Sequence, residues 1–487
     1  MDFDFSGSPP KAKTLEEAQA IIDALWMICR QMKQQIHQLE HRVKTLEERL
    51  NQNSRNSSRP PASDGLQKPN PKNLRWKSGK NRGGQPGHER NILEKHLNPD
   101  RVIYHVLNRC EHCNQSLQDI SPVDYETRQV FDIPTLKVEV TEHQAEQKIC
   151  PCCQKMTIAN FPDDVRQPTQ YGNAIKGLST YLNQYQFLPY DRLQEFFKDV
   201  FNHRISQGML VKINRQCYEK LEAPDTEIKR QLTIATNMNH DESGIRINGK
   251  LHWCHVASTS RLTSYGIHPK RGKEGIDAMG ILPAFHGRLI HDFFKPYFTY
   301  NCRHGLCNAH HLRELKFIEE EQKQEWAKHM AGLLLAIKKQ ADWHEEHKIK
   351  LSEVRIKAYE RCYNEIIMMG IWHPDNIPKP PEKIKRGQRK QTKAKNLLDR
   401  LRFHRKEVLA FMYDFSVPFT NNQAEQDIRM IKVKQKVSGC FRSSEGALWF
   451  SRIRSYISTA KKQGHSILQV LQDAFNGNAF IPQVVHP

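Results

Sequence analysis

The stretch Thr233-Ile-Ala-Thr-Asn-Met-Asn-His-Asp241, then Gly244-Ile-Arg-Ile-Asn248-Gly249-Lys250-Leu-His-Trp-Cys-His-Val256, then Gly287-Arg-Leu-Ile-His-Asp292, decides the fold. Upstream of it, apolar residues recur at helical spacing; within it the period changes. Thr233 to Asp241 predicts a strand. Asn248-Gly249 between two strand-like runs predicts a hairpin with a type I′ turn, because both central residues of that turn take positive φ. A helical stretch around Gly275 to Leu282 and a strand over Gly287 to Asp292 follow. Strands, a helix and a strand, two of the strands ending in Asp, predict an α/β sheet that presents carboxylates at strand ends.

Around this centre lies a chain of 487 residues, long enough for two to four domains. Its 74 Lys and Arg against 54 Asp and Glu give a net charge of +20 and a pI near 9.4. That balance favours a polyanionic partner, nucleic acid before membrane lipid. A mean hydropathy of −0.72 and longest apolar runs such as Ala331 to Ile337, far short of the about 18 apolar residues a membrane span needs, argue against a span. MDFDFSGSPP at the N-terminus lacks a basic segment followed by an apolar one, so nothing marks the chain for secretion and a reducing, cytoplasmic compartment is expected. In that reducing setting the twelve cysteines suit metal ligation better than disulfides.

From Leu15 to Leu50 the heptad positions read Leu15, Ile22, Cys29, Ile36, Val43, Leu50 and Ala18, Leu25, Met32, Leu39, Leu46. A 3.5-residue period sustained this long predicts a self-associating coiled coil and at least a dimer, the alternative being an amphipathic helix docked on the chain's own body. Residues 51 to 90 carry nine Lys and Arg against Asp64 and Glu89 among many Asn, Ser, Pro and Gly. Such a segment is either a basic arm that tracks DNA or a solvated linker. Cys110-x2-Cys113 and Cys150-Pro-Cys152-Cys153 then offer two thiolate pairs, the pattern a tetrahedral Zn²⁺ needs. Cys110, Cys113, Cys150 and Cys153 are the expected ligands, with Cys152 spare and strands expected at Tyr125 to Ile133 and Leu136 to Thr141.

Residues 165 to 231 and Leu306 to Met369 read as helical, and 379 to 406 hold twelve Lys and Arg against Glu382 and Asp399. Phe419-Thr-Asn421-Asn422 is a capping signal before a helix with Glu425, Arg429, Lys432 and Lys436 at three- or four-residue steps. Asp241, Asp292 and Glu425 are therefore candidate catalytic and metal-binding residues. Three converging carboxylates suit two Mg²⁺ or Mn²⁺ ions about 3.5–4 Å apart, the arrangement for in-line phosphodiester displacement. Glu242 and Asp427 are rivals in sequence, but Glu242 points away from Asp241 on a strand and Asp427 lies off the Glu425 face. Cys307 and His310, with His304 and His311, have ligand chemistry but read as packing and orienting residues.

The succession Asn53-Ser-Arg-Asn-Ser-Ser-Arg-Pro60, Gly83-Gly-Gln-Pro-Gly-His88, the two cysteine pairs, His240-Asp-Glu-Ser243, Ile290-His-Asp292, Leu306-Cys-Asn-Ala-His310 with Leu312-Arg-Glu-Leu315, and Asn421-Asn-Gln-Ala-Glu425 before Lys434-Gln-Lys-Val-Ser-Gly439 resembles the transposases of the insertion sequence 66 family over nearly the whole chain. The resemblance implies a DDE transposase with Asp241, Asp292 and Glu425 as its acids. It further implies an α/β fold: a ribonuclease H-like catalytic core with a helical insertion, preceded by an N-terminal coiled coil and a small zinc-binding domain.

The expected organisation is a coiled coil over 1–52, a basic flexible arm over 53–100, a zinc-binding domain over 101–164, and a helical DNA-binding or linker region over 165–232. The core occupies 233–305 and 416–463, split by a helical basic insertion over 306–415, with a tail over 464–487. Arg82, Gln85, His88, Lys270, Arg271, Arg429, Lys432, Lys436 and Arg442 are candidate DNA contacts. The expected partners are terminal inverted repeats and target DNA, a second copy of the chain, and accessory proteins of the element. The competing reading is a non-catalytic zinc-containing DNA-binding regulator or domesticated transposase; a nuclease on the same core, which hydrolyses without joining, is a third.

Overall fold

A computed structural model of the protein describes residues 11–53, 55–57, 93–377 and 391–483. The chain divides into two compact units, one drawn from Met1–Asn70, Ala145–Glu195 and Ile205–Pro487, the other from Pro71–Gln144 and Phe196–Arg204. Each is described by itself. Among the described residues no helix is long and apolar enough to cross a membrane.

In the first unit, Thr14 accepts the Glu17 N–H and caps α1 (Leu15–Leu50), with Glu16 and Glu17 in the first turn and Arg49 in the last, charges placed to complement the helix dipole. Its heptad positions Ile22, Ile36, Leu39, Val43, Leu46 and Leu50 are all more than half exposed. Among the described residues the apolar seam is therefore only partly covered, with contacts from the helix end at Glu48 and Asn51 to Gln322 and Glu321. In the second unit, the strands expected at 125–133 and 136–141 do not form. Val130 and Val140 are 91% and 88% exposed there; an extended segment with no ladder to take its N–H and C=O groups stays coil. The strands instead flank the later cysteine group in the first unit, as the antiparallel pair β1 (Gln147–Ile149) and β2 (Met156–Ile158).

Next come α2 (Asn173–Thr180), a π-helical turn over Tyr181–Tyr185, α3 (Tyr190–Phe201), α4 (Gln207–Lys220) and α5 (Glu222–Thr233). The first core strand starts later than the sequence suggests. Thr233 closes α5, and β3 runs Asn237–Ile247, so Asp241 lies inside the strand and does not end it. Asn248 and Gly249, at φ 47° and 74°, make the expected positive-φ turn into β4 (Lys250–Ser258), which pairs with β5 (Thr263–His268). The helix expected around 275–282 is broken into α6 (Lys273–Asp277) and a 3₁₀ turn at Leu282–Ala284, Gly280 taking φ 71° between them. β6 (Arg288–His291) and β7 (Arg303–Leu306) complete a five-stranded sheet of order β5-β4-β3-β6-β7. β5, β4 and β3 are antiparallel; β3, β6 and β7 are parallel.

Among the described residues, the α-helices between the sheet and Glu425 are α7 (Asn308–Gln322), α8 (Glu325–Glu346), α9 (Glu353–Ile371), α10 (Lys393–Phe403), α11 (Arg405–Val408) and α12 (Ala410–Tyr413). They share one apolar core that includes Phe317, Trp326, Leu334, Tyr363, Leu398 and Phe411. The chain then returns as α13 (Asn422–Ser438), α14 (Ser444–Lys462) and α15 (Ile467–Phe475). Ala424, Ile428 and Ile431 of α13 and Phe450 of α14 bury one sheet face with Ile245, Ile247, Cys254, Val256 and Tyr265. Ile228 and Leu232 of α5, with Ile276, Phe285 and Tyr297, cover Met238, Ala257 and Leu289 on the other.

The capping signal at Asn421 works differently from its sequence reading. Its side chain makes no cap bond; it reaches the sheet. Asn239 Nδ2 donates to Asn421 Oδ1 and Asn421 Nδ2 donates to the His240 carbonyl, both at 2.8 Å. The Asn421 N–H donates to Cys307 Sγ at 3.1 Å. One buried amide thus ties the start of α13 to the middle of β3. Asn421→Ala leaves the Asn239 amide and the His240 carbonyl unpaired in the interior, at about 1–3 kcal/mol per group, and should lower the urea midpoint accordingly; an unchanged midpoint would mean this tie does not hold the helix.

Candidate active site

The strand register sets the site. Asn239 pairs with Ile290 across the parallel β3–β6 ladder, and His291 pairs with Leu306 across β6–β7. Continued by one or two residues, that register puts Asp241, Asp292 and Cys307 level on three neighbouring chains, about 4.8 Å apart from one to the next. Alternation along β3 sends Asn239 and Asp241 toward α13, and His240 and Glu242 toward the opposite face. Glu425 stands in the first turn of α13.

Asp241 is held well above the usual carboxylate range, first by burial and then by the charges of Glu242, Asp292 and Glu425. The charges of all three other acids therefore act on this one side chain. Asp241 Oδ1 accepts the Glu242 N–H at 2.8 Å, and Asp292 Oδ1 accepts the Phe294 N–H at 3.1 Å. Phe293, between Asp292 and that N–H, takes φ 76°, a costly conformation for a bulky residue. Glu425 Oε1 is buried without a hydrogen-bond partner, and His310 Nδ1, equally without one, lies 3.8 Å away. Cys307, His310 and Glu425 place ligand atoms within 4.8 Å of one another. Burial, then the Glu425 charge, pushes the Cys307 thiol up to about 11, so it keeps its proton at neutral pH. The unpartnered oxygen and the mutual repulsion of the acids fit a hard divalent cation.

The rival acids have other work. Glu242 is buried on the far face, where the Tyr297 hydroxyl and the Arg271 guanidinium donate to it, the latter at 2.8 and 3.0 Å. Arg271 lies over the rings of Trp253 and Phe294 at 5.0 and 4.3 Å. Because Tyr297 gives its proton to Glu242, His240 Nδ1, 2.8 Å from the same oxygen, is the donor to it. Asp427 accepts from Lys462 at 2.7 Å and from Thr263 at 3.2 Å, on the α14 side of its helix.

The candidate DNA contacts divide by placement. Lys270, Arg429, Lys436 and Arg442 are exposed. Arg271 is engaged with Glu242, and the Lys432 amine donates to the Gly244 carbonyl at 2.5 Å, tying α13 to β3. Arg82, Gln85 and His88 lie outside the described residues. The sequence reading did not find the links from Asn239 and Asn421 or from Tyr297 and Arg271 to Glu242. Only an unusual density of His and Asn around Asp241 hinted at them.

The cysteine pairs sit in two turns of the same design, one in each compact unit. In the first, Asn114 donates its N–H to the Cys110 carbonyl at 3.0 Å and takes φ 63°. In the second, Gln154 donates to the Cys150 carbonyl at 2.8 Å and takes φ 57°. N–H groups of His112 and Cys113 lower the Cys110 thiol, and those of Cys153 and Cys152 lower Cys150. Amide groups aimed at a sulfur favour the thiolate, the form a zinc ion takes. Each turn by itself thus offers a thiol pair with zinc-ligand chemistry, Cys110 with Cys113 in one and Cys150 with Cys153 in the other; Cys152 is exposed within the second turn.

Comparison with known families agrees with these features. The model of the transposase IS66 family matches residues 169–448, which contain Asp241, Asp292, His310 and Glu425. The zinc-finger binding domain of transposase IS66 matches residues 108–154, which contain both cysteine pairs. A family of unknown function matches residues 7–94. No curated protein matches the chain.

The raised Asp241 carboxyl has a sign that can be measured. A group whose folded pKa is raised stabilises the fold below its unfolded pKa and loses that contribution as pH rises through the folded value. In Mg²⁺-free buffer at pH 8, Asp241→Asn should melt above the wild type, each 1 kcal/mol moving the midpoint by about 2–4 °C. The difference should shrink as pH falls toward the ordinary carboxylate range. A variant that melts lower than the wild type at pH 8 would contradict a buried, repelled Asp241.

Proposed function

The chain belongs to the transposase IS66 family, whose model spans more than half of its length, and on that footing we propose that it is a DDE transposase. It cleaves the terminal inverted repeats of a mobile element and transfers the freed 3′-hydroxyl into target DNA. The observation that carries this reading is the parallel β3–β6 register, which brings Asp241 and Asp292 onto neighbouring chains, with Glu425, on a helix that returns after the helical insertion, near enough for its charge to act on Asp241. A mixed sheet with acids along its parallel part supports the ribonuclease H-like core that the sequence resemblance implies.

Asp241, Asp292 and Glu425 would hold Mg²⁺ or Mn²⁺, and bound divalent ions supply activation of an oxygen nucleophile and stabilisation of the leaving oxygen. The chain's own residues arrange the rest. The Glu242 and Phe294 N–H groups fix the two aspartates, and Asn421 fixes the helix of Glu425. Exposed Arg429, Lys436, Arg442 and Lys270 offer cations to the phosphate backbone. In the first step a water oxygen bonds to phosphorus as the P–O3′ bond breaks, leaving a 3′-hydroxyl and a 5′-phosphate. In the second, that 3′-oxygen bonds to a target phosphorus as the target's P–O3′ bond breaks. One phosphodiester replaces another, and no protein–DNA ester intervenes.

The zinc-binding turns and the basic segment at 51–90 would recognise the element's ends. The partly covered α1 seam would pair with a second copy and so bring two ends together. Such an enzyme works in the cytoplasm at the nucleoid.

Purified protein with its element's end DNA and Mg²⁺ or Mn²⁺ should give 3′-nicked and joined products on a gel. Asp241→Asn and Glu425→Gln should keep DNA binding and lose the products by at least about 100-fold. Metal-dependent nicking that never proceeds to joining would favour a nuclease. Tight binding without any product, by a protein with all three acids intact, would favour a regulator.

A further inference from the structure

His310 stands at the third position of α7, three residues past the level that Cys307 shares with Asp292 beyond the ends of β6 and β7. The fields of Asp292 and Glu425 both reach it. Its Nδ1 and the Glu425 Oε1 are each buried, each without a hydrogen-bond partner, and 3.8 Å apart. That separation is too long for a hydrogen bond. It is shorter than the roughly 4.2 Å that two ligands at about 2.1 Å each can span across one ion. With the Nε2–H tautomer, two buried acceptor atoms face one gap, and a shared cation would satisfy both.

The third ligand atom of the group is already used. Cys307 Sγ accepts the Asn421 N–H at 3.1 Å and so holds the start of the helix that carries Glu425. Cys307 positions, and His310 is left to ligate.

Resting on the transposase reading above, we propose that His310 is a fourth ligand of the catalytic cation site, sharing one divalent ion with Glu425. A ligand set of carboxylates plus one imidazole suits a borderline cation, so the site takes Mn²⁺ in preference to Mg²⁺. His310 thereby becomes a residue that sets which metal the reaction uses.

The test uses the full-length, zinc-loaded protein titrated with Mn²⁺ in the absence of DNA. Pulsed electron paramagnetic resonance should show coupling of the bound Mn²⁺ to a histidine nitrogen, absent in His310→Gln, with Mn²⁺ affinity lowered about 10-fold. His310→Asp should restore ion binding without the nitrogen signal and move the preference toward Mg²⁺, a rescue that a merely packed histidine would not give. Mn²⁺ bound in an Asp241-dependent way with no nitrogen coupling, or with coupling unchanged in His310→Gln, would overturn the proposal and leave the transposase reading standing. Mn²⁺ binding that ignores Asp241→Asn altogether would overturn the transposase reading's metal site and this proposal with it.

Discussion

Asn239 lies opposite Ile290, and that single register between two parallel strands governs the rest of the catalytic unit. It levels Asp241 with Asp292 and points Asp241 at α13. A slip of one residue would turn Asp241 to the far face and bring His240 or Glu242 toward α13. The apolar residues enforce it. Ile245 and Ile247 share the face of Asn239 and Asp241 and are buried against Ile428, Ile431 and Phe450, whereas Met238, from the other parity, is buried against Ile228 and Leu232. Packing on both faces therefore specifies where the carboxylates stand.

Holding like charges together is the cost of that arrangement, and the surrounding polar groups offset part of it. Each aspartate takes a backbone N–H, and Asn421 fastens α13 to β3 through two buried hydrogen bonds. The far-face acid Glu242 is neutralised by Arg271 and bonded by Tyr297, so that its charge is met by a partner of its own. Glu425 Oε1 and His310 Nδ1 receive nothing of this kind. The far-face acid is fully met by partners, whereas Glu425 Oε1 and His310 Nδ1 face each other unpaired, which is the arrangement the proposed cation would complete.

Features set by local requirements were legible in the sequence. The Asn248-Gly249 turn needs positive φ at both positions, and few other dipeptides supply it; the helix start at Asn422 and the cysteine turns are local in the same sense. The family was legible from the succession of motifs, and the match over residues 169–448 agrees with it. What depended on distant contacts was not. Asn421 read as a cap because its partner Asn239 is 182 residues away. Arg271 read as a DNA contact because nothing near it in sequence announces Glu242 and the rings of Trp253 and Phe294. His310 read as a packing residue because Glu425 meets it only after the insertion returns. Residues 125–141 alternate like strands, yet alternation states only that a strand could be half-buried, and here no layer covers Val130 or Val140.

The central claim is that Asp241, Asp292 and Glu425 form one divalent-cation site just past the parallel β3–β6 pairing. Anomalous diffraction from crystals soaked in Mn²⁺ tests it most directly. A manganese peak within about 2.0–2.4 Å of carboxylate oxygens from all three residues is the predicted result. Manganese elsewhere, or three carboxylates that stay apart with no ion among them, would contradict the account.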